Sequence, residues 1–382
     1  MPYFHIDTEA QQASKRPGAP CGDTFLVRRT VYHTTIVLAD GIGSGIKAHI
    51  ASQMNSARLA QLFEGGASLR EGFLNVVGTM STWRDHSMPF AAFLLLRILN
   101  DGTATILNYE MPASLLVHRR DVDVIKAEPL VVPAGVASES HFHLLPGEGV
   151  LLMSDGIVQA GMGKDFQLGW GTEGVRDLMA PRAGKDVDFQ RVTRAVIDQA
   201  QYHDGPVSGD DKTVLLAQVR AGLVVDVLTG PPSDKAGDRA LVDAFLSAEG
   251  FKVVCGATTA DIVARHSGKK VEVEQRPASY ATPPRYFIPG VDMVTEGAVT
   301  LMQVYNIIEE EGLVAQDRSA AGDLAALLQR ADFIRFTVGR ARNPANADIV
   351  YRKQGILPRD KSVPLLAQKL ERMGKLVTVT FA

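Results

Sequence analysis

The sequence predicts an α+β protein in two parts, a strand-rich first part with helices set among its strands and a smaller α/β domain after it. Three observations predict this. Runs of β-formers recur through the first 220 residues, beginning with TFLVRRT and TTIVLA between residues 24 and 39. Directly after them, Ile46, Ile50, Met54 and Ala57 repeat at helical spacing on one face. From GLVVDVLTGPPSDKAGD onward the composition shifts and strands alternate with helices, the pattern of a layered α/β domain. The expected domains are therefore 1–221 and 222–382.

In chain order, the first two strands meet in a turn near Tyr32-His33. The helix from Ile46 stops at Gly65-Gly66, and a second helix covers about 68–82. Strands follow at PFAAFLLLRI, TATILNY, ASLLVHR and VDVIKA, and the turn LLPGEG leads into VLLMS, which ends in Asp155-Gly156. Helices cover about 172–180 and 187–201, and the loop HDGPVSGDD leads into the strand KTVLLAQVR. In the second part the expected strands are LVVDVLT, FKVVC, KVEVEQ, DMVT, FIRFTV and LVTVTF. Its expected helices lie at about 237–249, 258–266, 297–311, 321–331 and 363–373.

The chain's 382 residues suit two domains. With 46% hydrophobic and 22% charged residues it has the balance of an ordinary globular protein. A net charge of −3 argues against nonspecific nucleic-acid binding. Two cysteines, Cys21 and Cys255, exclude a disulfide framework and fit a reducing cytoplasm. The start MPYFHIDTEAQQ lacks the basic and apolar regions of a signal peptide. The run FAAFLLLRIL, interrupted by Arg97, falls short of the ~20 residues that span a bilayer. A cytoplasmic protein without a membrane segment is expected.

The acids carry the chemistry. Asp40 and Asp155 each end an apolar strand and precede a glycine, whereas Asp23 and the pair Asp210-Asp211 each stand just before a strand begins. In an antiparallel pair the start of one strand lies beside the end of its neighbour. Asp23 and Asp40 should thus share an edge, and Asp155 and Asp210 converge if their strands are neighbours. Carboxylates gathered without a nearby Lys or Arg repel one another, and a divalent metal relieves this. The candidate donors are hard oxygens without a Cys–His cluster, which favours Mg²⁺ or Mn²⁺ over zinc. Two ions sharing a carboxylate can activate water for in-line attack on phosphorus. The Gly41 carbonyl is a further candidate ligand, because glycine permits close approach of the backbone. Against this, a single Asp-Gly after a strand is usually only a turn.

These residues resemble the stage II sporulation protein E branch of the metal-dependent type 2C-like Ser/Thr protein phosphatases. Gly22-Asp23 resembles the first acidic motif, and DGIGSGIKA, from Asp40 to Ala48, resembles that branch's DGMGSGEKA. MPASLL and VPAGV resemble its proline-containing segments, HFHLLPGEGVLLMSDGIVQA the block ending in the second Asp-Gly, and GDDKTVLL the closing acidic motif. The resemblance covers about residues 22–219 and implies a β-sandwich flanked by helices. It implies two Mn²⁺ or Mg²⁺ ions bridged by Asp40, with the Gly41 carbonyl on one. Asp23 would serve one ion, Asp155 and Asp210 the other, and Asp211 is the less favoured ligand. Asp40 and Asp155 are the catalytic candidates. The implied substrate is a phosphoserine or phosphothreonine regulatory protein of the anti-sigma antagonist kind. The helices at 46–63 and 68–82 correspond to the branch's switch region.

Two departures stand out. Lys212 replaces a usually apolar residue and is expected to point into solvent rather than to substrate phosphate. NYEMP replaces a segment that usually carries glycine, so the backbone at Tyr109-Glu110 is expected to differ. His203 could protonate a leaving group, but a solvated loop histidine is the favoured reading. Cys21 is expected to be inert packing, and Trp83 and Trp170 core or domain-contact residues.

The second domain resembles no family of stated function. VVCGATTADIVAR and DMVTEGAVTLMQV each place Gly and Thr at a helix start after a strand, where a phosphate-bearing small molecule could bind. Thr as an N-cap and Gly as a turn former explain the same residues without a ligand. LTGPPSDKAGD is not a P-loop, since it lacks the Gly-Lys-Ser/Thr ending. Residues 331–382 hold ten Lys/Arg against four Asp/Glu, which suits an acidic partner better than nucleic acid. Two functions remain open: a metal-dependent phosphatase acting in bacterial signalling, or a catalytically weak signalling scaffold whose second domain senses a ligand.

Overall fold

The computed structural model describes residues 3–43, 45–84, 90–119, 121–182, 189–273, 286–310, 314, 316–317, 319–341 and 357–382. Parts of the expected elements KVEVEQ, 187–201 and 297–311 lie outside the described residues, as do Ser44 and the side chain of Trp83. Two units form, Phe4–Ala221 and Gly222–Ala382, with Tyr3 joining the second.

The first unit comprises β1 (Phe4–Ala13), β2 (Asp23–Arg29), β3 (His33–Gly41), α1 (Ile46–Glu64), α2 (Leu69–Arg84), β4 (Ala91–Leu99), β5 (Thr103–Tyr109) and β6 (Leu115–Val117). After them come β7 (Val122–Val124), β8 (Glu128–Leu130), β9 (Ala137–His143), β10 (Gly149–Met153), α3 (Asp155–Val158), α4 (Gly171–Met179), α5 (Phe189–Asp204) and β11 (Lys212–Ala221). The strands make two antiparallel sheets, ordered β1-β11-β10-β6-β7 and β2-β3-β4-β5-β9-β8. Alternation along the strands explains the layers. Ile36, Leu38, Leu94, Leu96, Leu152 and Leu215 meet in one core between the sheets. Their neighbours Val37, Ala39, Phe93 and Leu95 face outward beneath α1 and α2. Leu151, Met153, Val214 and Leu216 face outward beneath α3, α4 and α5. Both faces of the central strands are covered, so AAFLLLRIL is apolar apart from Arg97, whose Nε donates to Thr35 Oγ1 at 3.0 Å. This is the helix-flanked β-sandwich that the type 2C resemblance implies.

In helix α1 the periodic stripe is not the face that is buried. Ile46, Ile50 and Met54 are 68%, 47% and 50% exposed, and Ala57 is exposed with them. The buried face is instead Ala48, Ala51, Ser52, Asn55, Ser56, Leu59 and Ala60. Hydrogen bonds account for the inversion. The Ser52 hydroxyl donates to the Gly22 carbonyl at 2.5 Å, and Ser56 and Thr24 share a bond of 3.1 Å. Small side chains let the helix lie close on the β2–β3 hairpin. Strands β1 and β9 were not expected from sequence; both are rich in polar residues, and β1 is an edge strand.

The second unit comprises β12 (Val224–Thr229), α6 (Asp238–Ser247), β13 (Phe251–Cys255), α7 (Ala257–Ser267), β14 (Glu272–Val273), β15 (Tyr286–Phe287) and β16 (Met293–Thr295). It continues with α8 (Ala298–Ile307), α9 (Ala320–Arg330), β17 (Phe333–Val338), α10 (Arg359–Arg372) and β18 (Leu376–Phe381). Its sheet runs β14-β15-β16-β13-β12-β17-β18, with β16, β13, β12, β17 and β18 parallel. One face packs on α8, α9 and α10, the other on α6 and α7. Asp226 lies opposite Arg335, which grips it through Nε at 2.6 Å and Nη2 at 2.8 Å. A two-point ion pair of this kind pins the register of strands whose faces are both apolar.

The inverted face of α1 is testable by chemical denaturation. Ile50→Ser should change stability by less than about 0.5 kcal/mol, as at other exposed sites. Ala51→Leu, which inserts bulk against the hairpin, should cost about 1–3 kcal/mol.

Candidate metal centre

Asp23 opens β2 and Asp40 nearly closes β3, and the register of the hairpin sets the two directly opposite each other. Cross-strand like charges destabilise a sheet, more so out of water. Asp23 is 2% exposed and its carboxylate oxygens lack a well-formed hydrogen bond, although the Ser154 and Thr213 hydroxyls and the Asp40 carboxyl lie close enough to oppose the effect of burial. Burial pushes its pKa up to about 6. Asp40 is raised well above the usual carboxylate range, first by burial and then by the charges of Asp23 and Asp155.

A second antiparallel strand pair, β10 and β11, supplies the other acids. β10 and β11 are antiparallel neighbours with Met153 opposite Val214, so Asp155 and the Asp210-Asp211 pair flank the same edge. Ser154 and Thr213 clamp it: the Ser154 amide donates to the Thr213 carbonyl, and the Thr213 amide donates to the Ser154 hydroxyl, both at 2.9 Å. Burial raises the pKa of Asp210, with Asp155 and Asp211 adding to the rise while Lys15 and the Asp211 amide oppose it. Asp211 is buried, its Oδ1 accepts the Lys15 amide at 2.7 Å, and its Oδ2 has no partner. Asp155 accepts a bond from the Gln159 amide at 3.0 Å.

Two glycines permit these approaches. A Cβ on Gly41 would lie 2.0 Å from the Ala48 carbonyl oxygen of α1, and one on Gly156 would lie 2.0 Å from the Asp211 carbonyl oxygen. Only a residue without a side chain lets the helix and the final loop close over the acids.

Among the described residues, no three acidic, histidine or cysteine side chains are drawn together tightly enough to enclose an ion. The carboxylates share an edge and feel one another's charge. The chemistry of the donor set nevertheless fits a hard divalent cation: buried carboxylate oxygens on Asp23 and Asp211 that lack a well-formed hydrogen bond are costly unless positive charge reaches them.

Several sequence expectations need correction. A nearby cation does exist, since Lys15 Nζ lies 3.7 Å from Asp210 Oδ1. Lys212 does not point into solvent: it is 0% exposed, and its ammonium donates to Asp204 Oδ2 at 2.5 Å, Ser208 Oγ at 2.8 Å and the Asp210 carbonyl at 3.0 Å. His203 is no solvated loop residue. It sits at the end of α5, with its ring 4.9 Å from Phe166 and 5.3 Å from Trp170, and its Nε2 3.0 Å from the Gln199 amide. Trp170 itself packs on the core under the α3–α5 layer. At Tyr109-Glu110 the backbone turns left-handed, with a φ of 59° at Glu110, a conformation uncommon for a residue with a side chain. Cys21 is half-buried, and burial foremost, with Asp23 next, pushes its thiol up to about 12, so it stays protonated. Gln12 was missed altogether. Its amide bridges the Asp23 carbonyl at 3.2 Å and Thr213 Oγ1 at 2.9 Å, joining β2 to β11. Only the polar, alternating character of β1 could have signalled it.

Comparison with known proteins agrees with this arrangement of strands. Residues 31–220 match the family model for Stage II sporulation protein E (SpoIIE). The chain is similar to the PP2C phosphatase domain, with a fragment of the regulatory domain, of the cell fate determinant SpoIIE from Bacillus subtilis. That likeness has 18% identity and a TM-score of 0.50 over 58% of this chain, and the chain spans 65% of that structure's length. A second Bacillus subtilis SpoIIE phosphatase-domain structure matches at 18% identity and TM-score 0.45, over 58% of this chain and 95% of that one. The RsbU and RsbW domains of a Mycobacterium tuberculosis protein match at 19% and 0.49, over 64% and 68%. No curated protein matches the chain. The first unit thus has the type 2C phosphatase fold and resembles its stage II sporulation protein E branch, and the second unit is assigned to no family.

The Lys212–Asp204 pair yields a stability prediction. Burial alone would raise the Asp204 pKa, but Lys212 and the amides of Gly209 and Gly161 outweigh it and hold the carboxyl below its usual range. Its contribution is complete above about pH 5, clear of the ordinary unfolded carboxylate value, and is lost as pH falls through the lowered folded value. Urea melts across that window should show the fall in wild type and a flatter profile in Lys212→Met. At neutral pH that variant should lose about 3–5 kcal/mol, because Asp204 stays buried without its cation.

Proposed function

We propose that the first unit is a metal-dependent protein serine/threonine phosphatase, with residues 1–221 as the catalytic domain and 222–382 as a separate regulatory or ligand-binding domain. The observation that carries the reading is the Asp23–Asp40 pair, set opposite in register with both Asp23 oxygens buried and without a well-formed hydrogen bond beside the Asp155 and Asp210-Asp211 turns. Asp40, influenced by both Asp23 and Asp155, is the natural bridge between two cation seats. Asp23 and the Gly41 carbonyl would serve one seat, and Asp155 and Asp210 the other. Asp211, held by the Lys15 amide and facing Asp23, is a stronger candidate than its motif position suggests.

Two Mn²⁺ or Mg²⁺ ions, when bound, would supply the charge and the activated water for in-line attack on phosphorus. The chain's own residues hold that arrangement. Gly41 and Gly156 bring α1 and the closing loop onto the acids. Lys212, locked on Asp204, is unavailable to substrate phosphate and instead positions the Asp210 backbone. The substrate class is a phosphoserine or phosphothreonine regulatory protein of the anti-sigma antagonist kind, which rests on the branch resemblance. No helix among the described residues is long and apolar enough to cross a membrane, and we infer a cytoplasmic setting. The scaffold reading draws on the looseness of the acid cluster.

Hydrolysis of p-nitrophenyl phosphate with Mn²⁺, Mg²⁺ or EDTA separates the two readings. Turnover should need metal and fall at least about a hundredfold in Asp40→Asn; absence of turnover with either metal would favour the scaffold. A ligating carboxylate must be deprotonated, so metal affinity should weaken as pH drops below about 6, following Asp23. Without metal, Asp23→Asn should melt at a higher temperature than wild type at neutral pH, since it removes an unpaired buried charge. Added Mn²⁺ should reverse that order.

A further inference from the structure

The second unit presents a cavity of about 160 Å³ at the carboxyl edge of its parallel sheet, lined by Thr229, Gly256, Thr258, Glu296, Gly297 and Arg359 among others. The topology explains why a cavity forms there. From β12 the chain moves outward through β13 and β16 on one side, then returns to β17 and β18 on the other. Where the winding direction reverses, the loops leaving the strands part, and ligands of doubly wound sheets bind outside the strands' carboxyl ends.

Two helix starts converge on this opening. α7, of 11 residues, begins after Gly256, and α8, of 10 residues, begins after Gly297; neither is capped by a side chain. A Cβ on Gly297 would lie 3.4 Å from the Gly256 Cα, so the two first turns stand side by side with their leading amides uncapped. Helix starts in this arrangement attract anions.

An independent observation comes from the hydroxyls. Thr229, the last residue of β12, is 1% exposed, lines the cavity, and has a hydroxyl bonded to no described residue. Its neighbours are satisfied. Thr259 Oγ1 accepts the Gly230 amide at 2.8 Å, and the Thr295 hydroxyl donates to the Glu296 carbonyl at 3.0 Å and faces Cys255 Sγ at 3.3 Å. A hydroxyl at the cavity wall with no partner among the described residues is free to bond a ligand oxygen. Arg359 is held for the same purpose: Nε donates to the Gly339 carbonyl at 2.9 Å and Nη2 to that of Ala341, which leaves Nη1 for the cavity. Glu296 is the one acid in the lining, and its Oε1 accepts the Tyr286 hydroxyl at 3.0 Å. A carboxylate there suits a hydroxyl donor on the ligand.

We propose that this cavity binds a small phosphomonoester of a hydroxylated compound, its phosphate seated on the α7 and α8 starts with Thr229 and Arg359, and its hydroxyl on Glu296. The enclosed part of the cavity, about 160 Å³, is enough for a phosphate and a few carbons. The site is independent of the acid cluster of the first unit.

Calorimetric titration of the full chain, in EDTA so that no catalytic metal takes up phosphate, tests this with glycerol 3-phosphate and inorganic phosphate as probes. Both should bind saturably, glycerol 3-phosphate more tightly, with a dissociation constant of about a millimolar or below. Thr229→Val, which keeps the residue's shape, should weaken binding roughly three- to tenfold, and Arg359→Met by more than about tenfold. Because Arg359 also ties down two carbonyls, the Thr229 variant decides the matter if the arginine variant fails to fold. Absence of saturable binding for both probes, or binding that Thr229→Val leaves unchanged, would overturn the proposal. Equal affinity for the two probes would overturn the role given to Glu296.

Discussion

Mutual repulsion among carboxylates at one sheet edge is the constraint on which the first unit depends. Asp23 and Asp40 face each other across a hairpin, and Asp155, Asp210 and Asp211 arrive from the antiparallel pair β10 and β11. No ordinary core gathers acids in this way, because buried charges without partners destabilise the fold. The surrounding structure is arranged to tolerate them. Gln12 ties β2 to β11, Ser154 and Thr213 clamp β10 to β11, and the Lys212–Asp204 pair braces the loop that carries Asp210. The raised pKa values of Asp23 and Asp40 record the strain that remains.

The sandwich makes this arrangement affordable. With helices over both outer faces and a third core between the sheets, the central strands are apolar on every side, and the acids fall only at strand ends. Rigidity in the strands positions the acids, while turns containing Gly41 and Gly156 allow backbone to close around them. The second unit follows the same logic in a parallel sheet. Its central strands are buried on both faces, and its chemistry-bearing residues collect where strands end and helices begin.

Much of this was legible in the sequence. The short turn at Tyr32-His33 dictates the register that sets Asp23 against Asp40, and strand–helix alternation announces the second unit. Other features depend on contacts that no local pattern reveals. Helical periodicity finds the stripe Ile46, Ile50 and Met54, but not the fact that Ser52 and Ser56 bond to the hairpin and turn that stripe outward. Lys212 reads as a solvent-facing lysine until the end of α5 brings Asp204 against it. β1 escapes notice because an edge strand needs few apolar residues, and it is through β1 and the segment after it that Gln12 and Lys15 reach the acids.

The central claim is that the acid cluster is a seat for two divalent cations. Calorimetric titration of Mn²⁺ into the full chain at neutral pH tests it most directly. The account expects two sites per chain, proton release on binding as Asp40, held well above the usual carboxylate range, gives up its proton, and loss of both sites in Asp40→Asn. Absence of Mn²⁺ binding, or binding that Asp40→Asn leaves intact, would contradict it.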